Sequence, residues 1–388
     1  MREVLDELVA EWRQGKSTAV GTVVSTYRSA PRPAGASMLV TSDERAVGSV
    51  SGGCVEGAVF ELGQQVLADD TPILQRYGVS DDDAFTVGLT CGGIIDVFVE
   101  KVDPVSFPEL DEVATSVAGK EPVAVATVVA HPDPERVGLR VVVWQDRHSG
   151  TFGSARADEA VIEDVRGSLA AGRTGTLHFG PEGERRGEGM DVFVNSLEPP
   201  PRMLVFGAID FAAAMARLGV FLGYHVTVCD ARPVFATKSR FPDAHEVVVN
   251  WPHRYLKEEA EAGRIDPRTV VTVLTHDPKF DVPVIVEALQ LDLAYLGAMG
   301  SRKTHKDREA RLREAGVTDE ELTKIASPIG LDLGARTPEE TAVSIAAELI
   351  SLRWGGSATR LADAEGPIHG ASPIAEPEPV KASSLTRS

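Results

Sequence analysis

Residues 202–230 read RMLVFGAIDFAAAMARLGVFLGYHVTVCD. An apolar run at 202–206 predicts a buried strand, and 211–222 carries its apolar residues at helical spacing. A second strand follows at 225–229, with Gly207 at the first turn. Two strands joined by a helix lie parallel, because a helical crossover returns the chain to its starting edge. Further strands are predicted at 245–249, 270–275 and 294–296, and helices at 282–290, 303–315 and 338–352. Short apolar strands alternating with helices imply an α/β, Rossmann-like, doubly wound parallel sheet.

A glycine that ends a strand and opens a helix is the setting of a dinucleotide fingerprint. Asp230 stands 23 positions after Gly207, where an acid accepts from a ribose hydroxyl and favours NAD over NADP. Ala212 is small enough for the third position of the fingerprint. Ile209 occupies the second, where a branched side chain obstructs the pyrophosphate, and Asp210 adds a negative charge beside it. An NAD(P) site is therefore expected to be weakened. Ligands of such sheets bind beyond the carboxyl ends of the strands. Three polar groups fall there: His276 beside Asp277, an acid/base candidate; Gly297 to Gly300 with Ser301, Arg302 and Lys303, an anion cradle at a helix start; and residues 327–337.

Toward the N-terminus, Leu197-Glu198-Pro199-Pro200-Pro201 predicts a stiff linker between domains at 1–196 and 202–360. Proline-rich residues 361–388 are expected to be a disordered tail. The first domain reads as mixed α/β. It opens on an amphipathic helix with Leu5, Leu8, Val9 and Trp12 on one face. Strands are predicted at 19–27, 94–102, 123–129, 138–144 and 190–194, a hairpin at 38–50, a helix at 55–67, and a loop or hairpin tip at 172–189. No internal repeat is visible.

Two segments of this domain pair cysteine with glycine: Gly48-Ser49-Val50-Ser51-Gly52-Gly53-Cys54-Val55-Glu56 and Thr90-Cys91-Gly92-Gly93. Gly52 and Gly53 can turn N–H groups toward an anion, and a helix start favours a thiolate at Cys54. Glu56 is an acid/base candidate one turn away. Should the two loops converge, Cys54 and Cys91 form a thiol pair suited to a soft metal, sulfur transfer or a molybdenum dithiolene. Arg28 and Arg32 cluster nearby and suit phosphate recognition. Cys229 ends an apolar strand and reads as core.

Lys and Arg number 39 against 58 Asp and Glu, a net charge of −19. That excess disfavours nucleic acid and anionic membranes as partners. No run is long and apolar enough for a membrane span. Three cysteines in a chain of 388 residues do not make a disulfide framework, so a cytoplasmic location is expected.

Taken in order, residues 48–56, 91–100, 206–233, 296–302 and 327–340 resemble the XdhC/CoxI family of xanthine dehydrogenase accessory factors. The resemblance implies maturation of a molybdenum hydroxylase of the xanthine or carbon monoxide dehydrogenase type. Such a factor binds molybdenum cofactor, assists its sulfuration and hands it to the apoenzyme. It also implies a sulfur donor as partner, cofactor or sulfur handling at Cys54 and Cys91, and a Rossmann site at Gly207, Asp230 and 297–302. The family pattern is Gly-Ala-Gly-His where this chain has Gly207-Ala208-Ile209-Asp210, which weakens nucleotide binding here. A homo-oligomer is expected. The alternatives are an NAD(P)-dependent oxidoreductase and a docking chaperone that uses neither site. An accessory factor is favoured over a stand-alone dehydrogenase.

Overall fold

The computed structural model describes residues 1–27, 30–78 and 93–364. The chain divides into two compact units, one from Met1 to Pro199 and one beginning at Pro200. In the first, α1 (Leu5–Arg13) leads into β1 (Thr18–Tyr27), β2 (Ser37–Thr41), β3 (Ala46–Gly48), α2 (Glu56–Asp69), β4 (Ile73–Tyr77) and β5 (Ile94–Val102). Then α3 (Leu110–Ala118) leads into β6 (Val123–Ala130), β7 (Arg140–Val143), β8 (His148–Gly150), α4 (Ala155–Ala170), β9 (Gly175–Phe179) and β10 (Met190–Leu197).

These two series are the same series twice. Each forms a five-stranded antiparallel sheet, ordered β3-β2-β1-β5-β4 and β8-β7-β6-β10-β9. The first unit is a tandem repeat, which corrects the reading that none exists. Its trace is Ala19-Val20-Gly21-Thr22-Val23-Val24 against Ala124-Val125-Ala126-Thr127-Val128-Val129, 105 positions later. Valine-rich strands suit both sheets because branched side chains pack well on a pleated surface.

The cores repeat as well. Val23, Val59, Val66 and Val97 close the space under α2, as Val128, Val161, Val165 and Val192 do under α4. Between the repeats, Leu5 and Leu8 of α1 share a cluster with Leu110 and Val113 of α3. A second shared cluster holds Val24 and Phe98 of the first repeat together with their counterparts Val129 and Phe193 of the second. Arg140 donates to Glu100 across the repeats at 2.6 Å, with both side chains buried.

The second unit contains β11 (Arg202–Phe206), α5 (Asp210–Phe221), β12 (His225–Asp230), β13 (Glu246–Val249), α6 (Pro252–Glu261) and β14 (Val270–Val273). It continues with α7 (Pro278–Ala288), β15 (Tyr295–Ala298), α8 (Arg302–Glu314), α9 (Asp319–Leu322) and α10 (Pro338–Trp354). All pairings are parallel, in the order β13-β12-β11-β14-β15. Alternate residues face opposite layers. Met203 and Val205 pack with Met215 of α5 and Ile345 of α10, while Leu204 and Phe206 pack with Leu256 of α6 and Ile285 of α7. The expected doubly wound, Rossmann-like sheet is present. Among the described residues, no helix is long and apolar enough to cross a membrane.

Candidate functional site

The first repeat leaves β3 at Gly48 and reaches α2 through residues 49–55. Glu56 folds back into this loop. Its carboxylate accepts from the Ser49 hydroxyl at 2.6 Å, the Ser51 hydroxyl at 2.6 Å, and the N–H groups of Val50, Ser51, Gly53 and Val55 at 2.8–3.2 Å. The Ser51 oxygen accepts from the N–H groups of Cys54 and Val55, and the Ser49 oxygen from that of Gly52. Every N–H from 50 to 55 is therefore engaged by protein.

This arrangement corrects two expectations. The nest at Gly52 and Gly53 is filled by the chain's own carboxylate, so a second anion would meet like charge and no spare donor. Glu56 is a clamp rather than an acid/base group. Burial opposes its charge, yet the hydroxyls of Ser49 and Ser51 and the backbone donors overcome this and hold the carboxyl at about 2. Its folded value lies below the unfolded one, so its contribution is complete above about pH 4.5 and fades as pH falls toward 2. Glu56→Gln is expected to lower stability at pH 7 by about 1–2 kcal/mol, part of the worth of charge-assisted bonds at a half-exposed site. Denaturant titrations at pH 7 and pH 3 check this, with a smaller difference expected at pH 3.

The second repeat serves as an internal control. Counting 102 positions on from Gly48 gives Gly150, and Thr151, Phe152 and Asp158 stand for Ser49, Val50 and Glu56. Asp158 accepts from the Thr151 hydroxyl at 2.8 Å and the Phe152 N–H at 2.6 Å, the same clamp in smaller form. Ser154, Ala155 and Arg156 replace Gly52, Gly53 and Cys54, and α4 starts at Ala155 under a Ser154 cap. In the first repeat the helix starts later, at Glu56, and half-buried Cys54 sits in an irregular turn before it. Gly53 at φ +118° holds a conformation that disfavours side chains. Among the described residues, a Cβ on Gly52 or Gly53 would meet nothing within 4 Å. The loop thus presents bare backbone to solvent beside a thiol, a feature the fold itself does not need.

Cys91, Gly92 and Arg28 lie outside the described residues. Gly93 is buried just before β5. Arg32 is paired with Glu3, so its charge is largely answered within the protein.

In the second unit, Gly207, Asp230, His276 and the loop from Gly297 to Arg302 gather at the carboxyl ends of β11, β12, β14 and β15. Gly207 is required there: at φ +118°, a Cβ would press on Thr275 at 3.0 Å. Asp230 accepts from the Ala208 N–H at 2.8 Å, the Arg232 N–H at 2.9 Å and the Arg232 guanidinium at 2.8 and 2.9 Å. Burial opposes its charge, but Arg232 and these N–H groups keep the carboxyl below its ordinary range. The acid expected to hold a ribose already holds an arginine. Gly297 makes room for Ile329, Ser301 caps α8 by accepting from the Thr304 N–H at 3.1 Å, and His276 and Arg302 are exposed.

Sequence reasoning missed what orders this edge. Arg308 of α8 donates to Asp281 of α7 at 3.1 Å, to the Met299 carbonyl at 2.6 Å and to Ser327 at 3.2 Å. Asp281 also accepts from the Thr275 hydroxyl. Cys229 is core, as expected. Its thiol donates to the Asn250 carbonyl at 3.5 Å, and burial pushes it up to about 12, which makes it a poor nucleophile.

Both units have known relatives. The family described as "XdhC and CoxI family" matches residues 11–78 and 116–180, from the first helix of each repeat to the glycine after its fourth strand. The family described as "XdhC Rossmann domain" matches 203–349. The chain is 30% identical over 355 residues to a probable xanthine dehydrogenase subunit of Bacillus subtilis, covering 90% of this chain and 96% of that one. It is 27% identical over 352 residues to the molybdenum cofactor insertion chaperone PaoD of Escherichia coli, covering 91% and 88%. A crystal structure of a xanthine dehydrogenase from Bacillus halodurans superposes with a TM-score of 0.69 at 25% identity, covering 93% and 97%. Matches in both units, and a relative aligned across nearly its whole length, place this chain in the XdhC and CoxI family.

Proposed function

We propose that this protein is an accessory factor for a molybdenum hydroxylase of the xanthine or carbon monoxide dehydrogenase type. It takes molybdenum cofactor as cargo through the Cys54 thiol, not through the N–H groups of the 49–55 loop, which Glu56, Ser49 and Ser51 already occupy; it keeps the cargo accessible to a sulfur donor in the cytoplasm and passes it to the apoenzyme. One observation carries the reading. The fold is built twice, and only the first copy sets a thiol beside a glycine surface bare of side chains.

A thiolate is a soft ligand suited to molybdenum that already carries its own dithiolene sulfurs. Among the described residues, no group of three or more His, Cys, Asp or Glu is placed to hold a metal ion. A single thiol is a grip that can be released, as delivery requires, whereas a full cage would retain the metal. Cys91 and Gly92 join this reading on their sequence pattern alone. The relative named as an insertion chaperone supports it. The oxidoreductase alternative finds no support, because Ile209 replaces the second glycine of the fingerprint and Arg232 takes Asp230.

The test is protection of a thiol. Reduced protein is alkylated with iodoacetamide, with and without molybdenum cofactor released anaerobically from a molybdoenzyme, and modification at Cys54 is followed by mass spectrometry. The cofactor is expected to slow Cys54 alkylation several-fold. An unchanged rate at saturating cofactor removes the loop from the proposal.

A further inference from the structure

Helix α10 is apolar on two sides. One side, with Ala342, Ile345 and Leu349, belongs to the core cluster it shares with Ala212 and Met215 of α5. The other carries Val343, Ala347, Ile350 and Trp354, spaced by four, three and four positions. That spacing keeps them on one stripe and is the pattern of a helix–helix seam. Val343, Ile350 and Trp354 are nevertheless 52%, 47% and 65% exposed. A helix with two apolar sides is ordinarily covered on both, and a contiguous exposed apolar patch marks a contact surface. The patch extends beyond the helix. Ile350 and Trp354 border a surface cavity of about 240 Å³ with Leu222 and Tyr224, and the neighbouring Phe221 is 82% exposed.

Charge at the two ends of the stripe selects its occupant. Glu339 lies in the first turn of α10, one step of four before Val343, and Arg353 lies in the last turn, its guanidinium over the Trp354 ring at 5.0 Å. Both are exposed, and among the described residues neither is in an ion pair. A copy of α10 laid parallel would set like charges side by side. Laid antiparallel, it sets Glu339 against Arg353 at both ends and opposes the helix dipoles. The distances along the helix agree. The midpoint between Val343 and Ile350 is also the midpoint between Glu339 and Trp354, and it falls at Ala346 and Ala347. One register therefore sets Val343 of each copy against Ile350 of the other, with small Ala347 where the two helices come closest. In that register Glu339 and Arg353 come level to within about 1.5 Å along the axis, and at 100° per residue they lie on the same flank of the stripe. A two-fold axis across an antiparallel pair brings each flank against itself, as a self-complementary interface requires.

We infer that α10 pairs antiparallel with α10 of a second copy of this chain, through Val343, Ala347, Ile350 and Trp354, with Glu339 of each copy against Arg353 of the other. The inference is independent of the cargo reading, since it assigns the surface and register of a two-fold dimer and asks nothing of Cys54.

The experiment is sedimentation velocity of the full chain over a range of concentrations, with circular dichroism to report folding. It compares wild type with Ile350→Arg, Glu339→Arg, Arg353→Glu and the double exchange Glu339→Arg/Arg353→Glu. Wild type is expected to dimerise with a Kd on the order of micromolar or tighter. Ile350→Arg should weaken the dimer at least about a hundredfold, because each copy then brings an unpaired charge into the seam. Each single exchange should weaken it about tenfold, and the double exchange should regain most of the loss. If Ile350→Arg fails to fold, the charge exchanges decide alone. Wild type that stays monomeric at about 100 μM overturns the inference. Dimerisation of a chain ending at Glu365 would then assign the face to residues 366–388, and continued monomer would leave it to a different protein. A dimer that Ile350→Arg leaves intact also overturns it, since the contact would lie elsewhere. So does a double exchange no tighter than the single ones, because Glu339 and Arg353 would then not face each other.

Discussion

Arg308→Met lowers the stability of the second unit by about 3–5 kcal/mol, the usual cost of leaving one half of a buried ion pair without its partner. Arg308 and Asp281 have side-chain exposures of 3% and 5%, so water cannot answer the abandoned carboxylate. Burial already pushes the Asp281 carboxyl above its ordinary range, despite the Thr275 hydroxyl and the guanidinium. The pair is thus costly to bury and costlier to break. Met fills the volume of the arginine stem but leaves Asp281, the Met299 carbonyl and Ser327 without their shared donor. Calorimetry should show the transition of this unit falling by roughly 6–20 °C, at about 2–4 °C per kcal/mol for a unit of this size. The double variant Asp281→Leu/Arg308→Met should recover most of the loss, since two matched apolar groups leave no charge behind. A single-variant loss under about 1 kcal/mol would mean that the pair does not order this edge.

Phe98→Ala costs the first unit about 3–5 kcal/mol, and Phe193→Ala a similar amount, by lost burial and by the cavity left behind. Both rings lie in the small cluster between the repeats, at 2% and 4% exposure. They are counterparts within the duplication and belong to the same cluster, so they report on one core from its two sides. The two losses should fall short of additive by at least about 0.5 kcal/mol, as for residues that share a cavity. Urea denaturation of the single and double variants checks this. Strict additivity would place the two rings in separate environments and weaken the case for a paired interface.

Much of this was legible in the chain, and the failures have physical reasons. The parallel sheet showed itself because strands buried on both faces are continuous apolar runs, as at 202–206 and 270–273. β4 was hidden because Leu74, Gln75 and Arg76 are exposed on an edge strand, which leaves Tyr77 as its one buried residue. β9 lay within a stretch whose glycines suggested a loop or hairpin tip; it is one arm of the β9–β10 hairpin. α4 was readable, since Ala157, Val161, Val165 and Leu169 repeat at helical spacing, and so was the tandem repeat at 19–24 and 124–129. At the site, the glycine and cysteine pattern falls on the loop in which the first copy differs from the second. The anion nest expected at Gly52 and Gly53 failed because glycine spacing shows where N–H groups converge and not what fills the convergence. Ser49, Ser51 and Glu56 supplied the occupant from within seven residues of one another. At the fingerprint, Arg232 stands two residues beyond Asp230 and takes it, which the sequence Asp230-Ala231-Arg232 permits but does not require.

The central claim is that molybdenum cofactor is held through Cys54 in the first repeat. Its most direct measurement is a binding titration of released cofactor to wild type, Cys54→Ala and Arg156→Ala, the last removing the counterpart residue in the second repeat. Wild type and Arg156→Ala are expected to bind alike, and Cys54→Ala to bind at least about tenfold more weakly, as when a metal ligand is lost. Equal binding by wild type and Cys54→Ala would contradict the account.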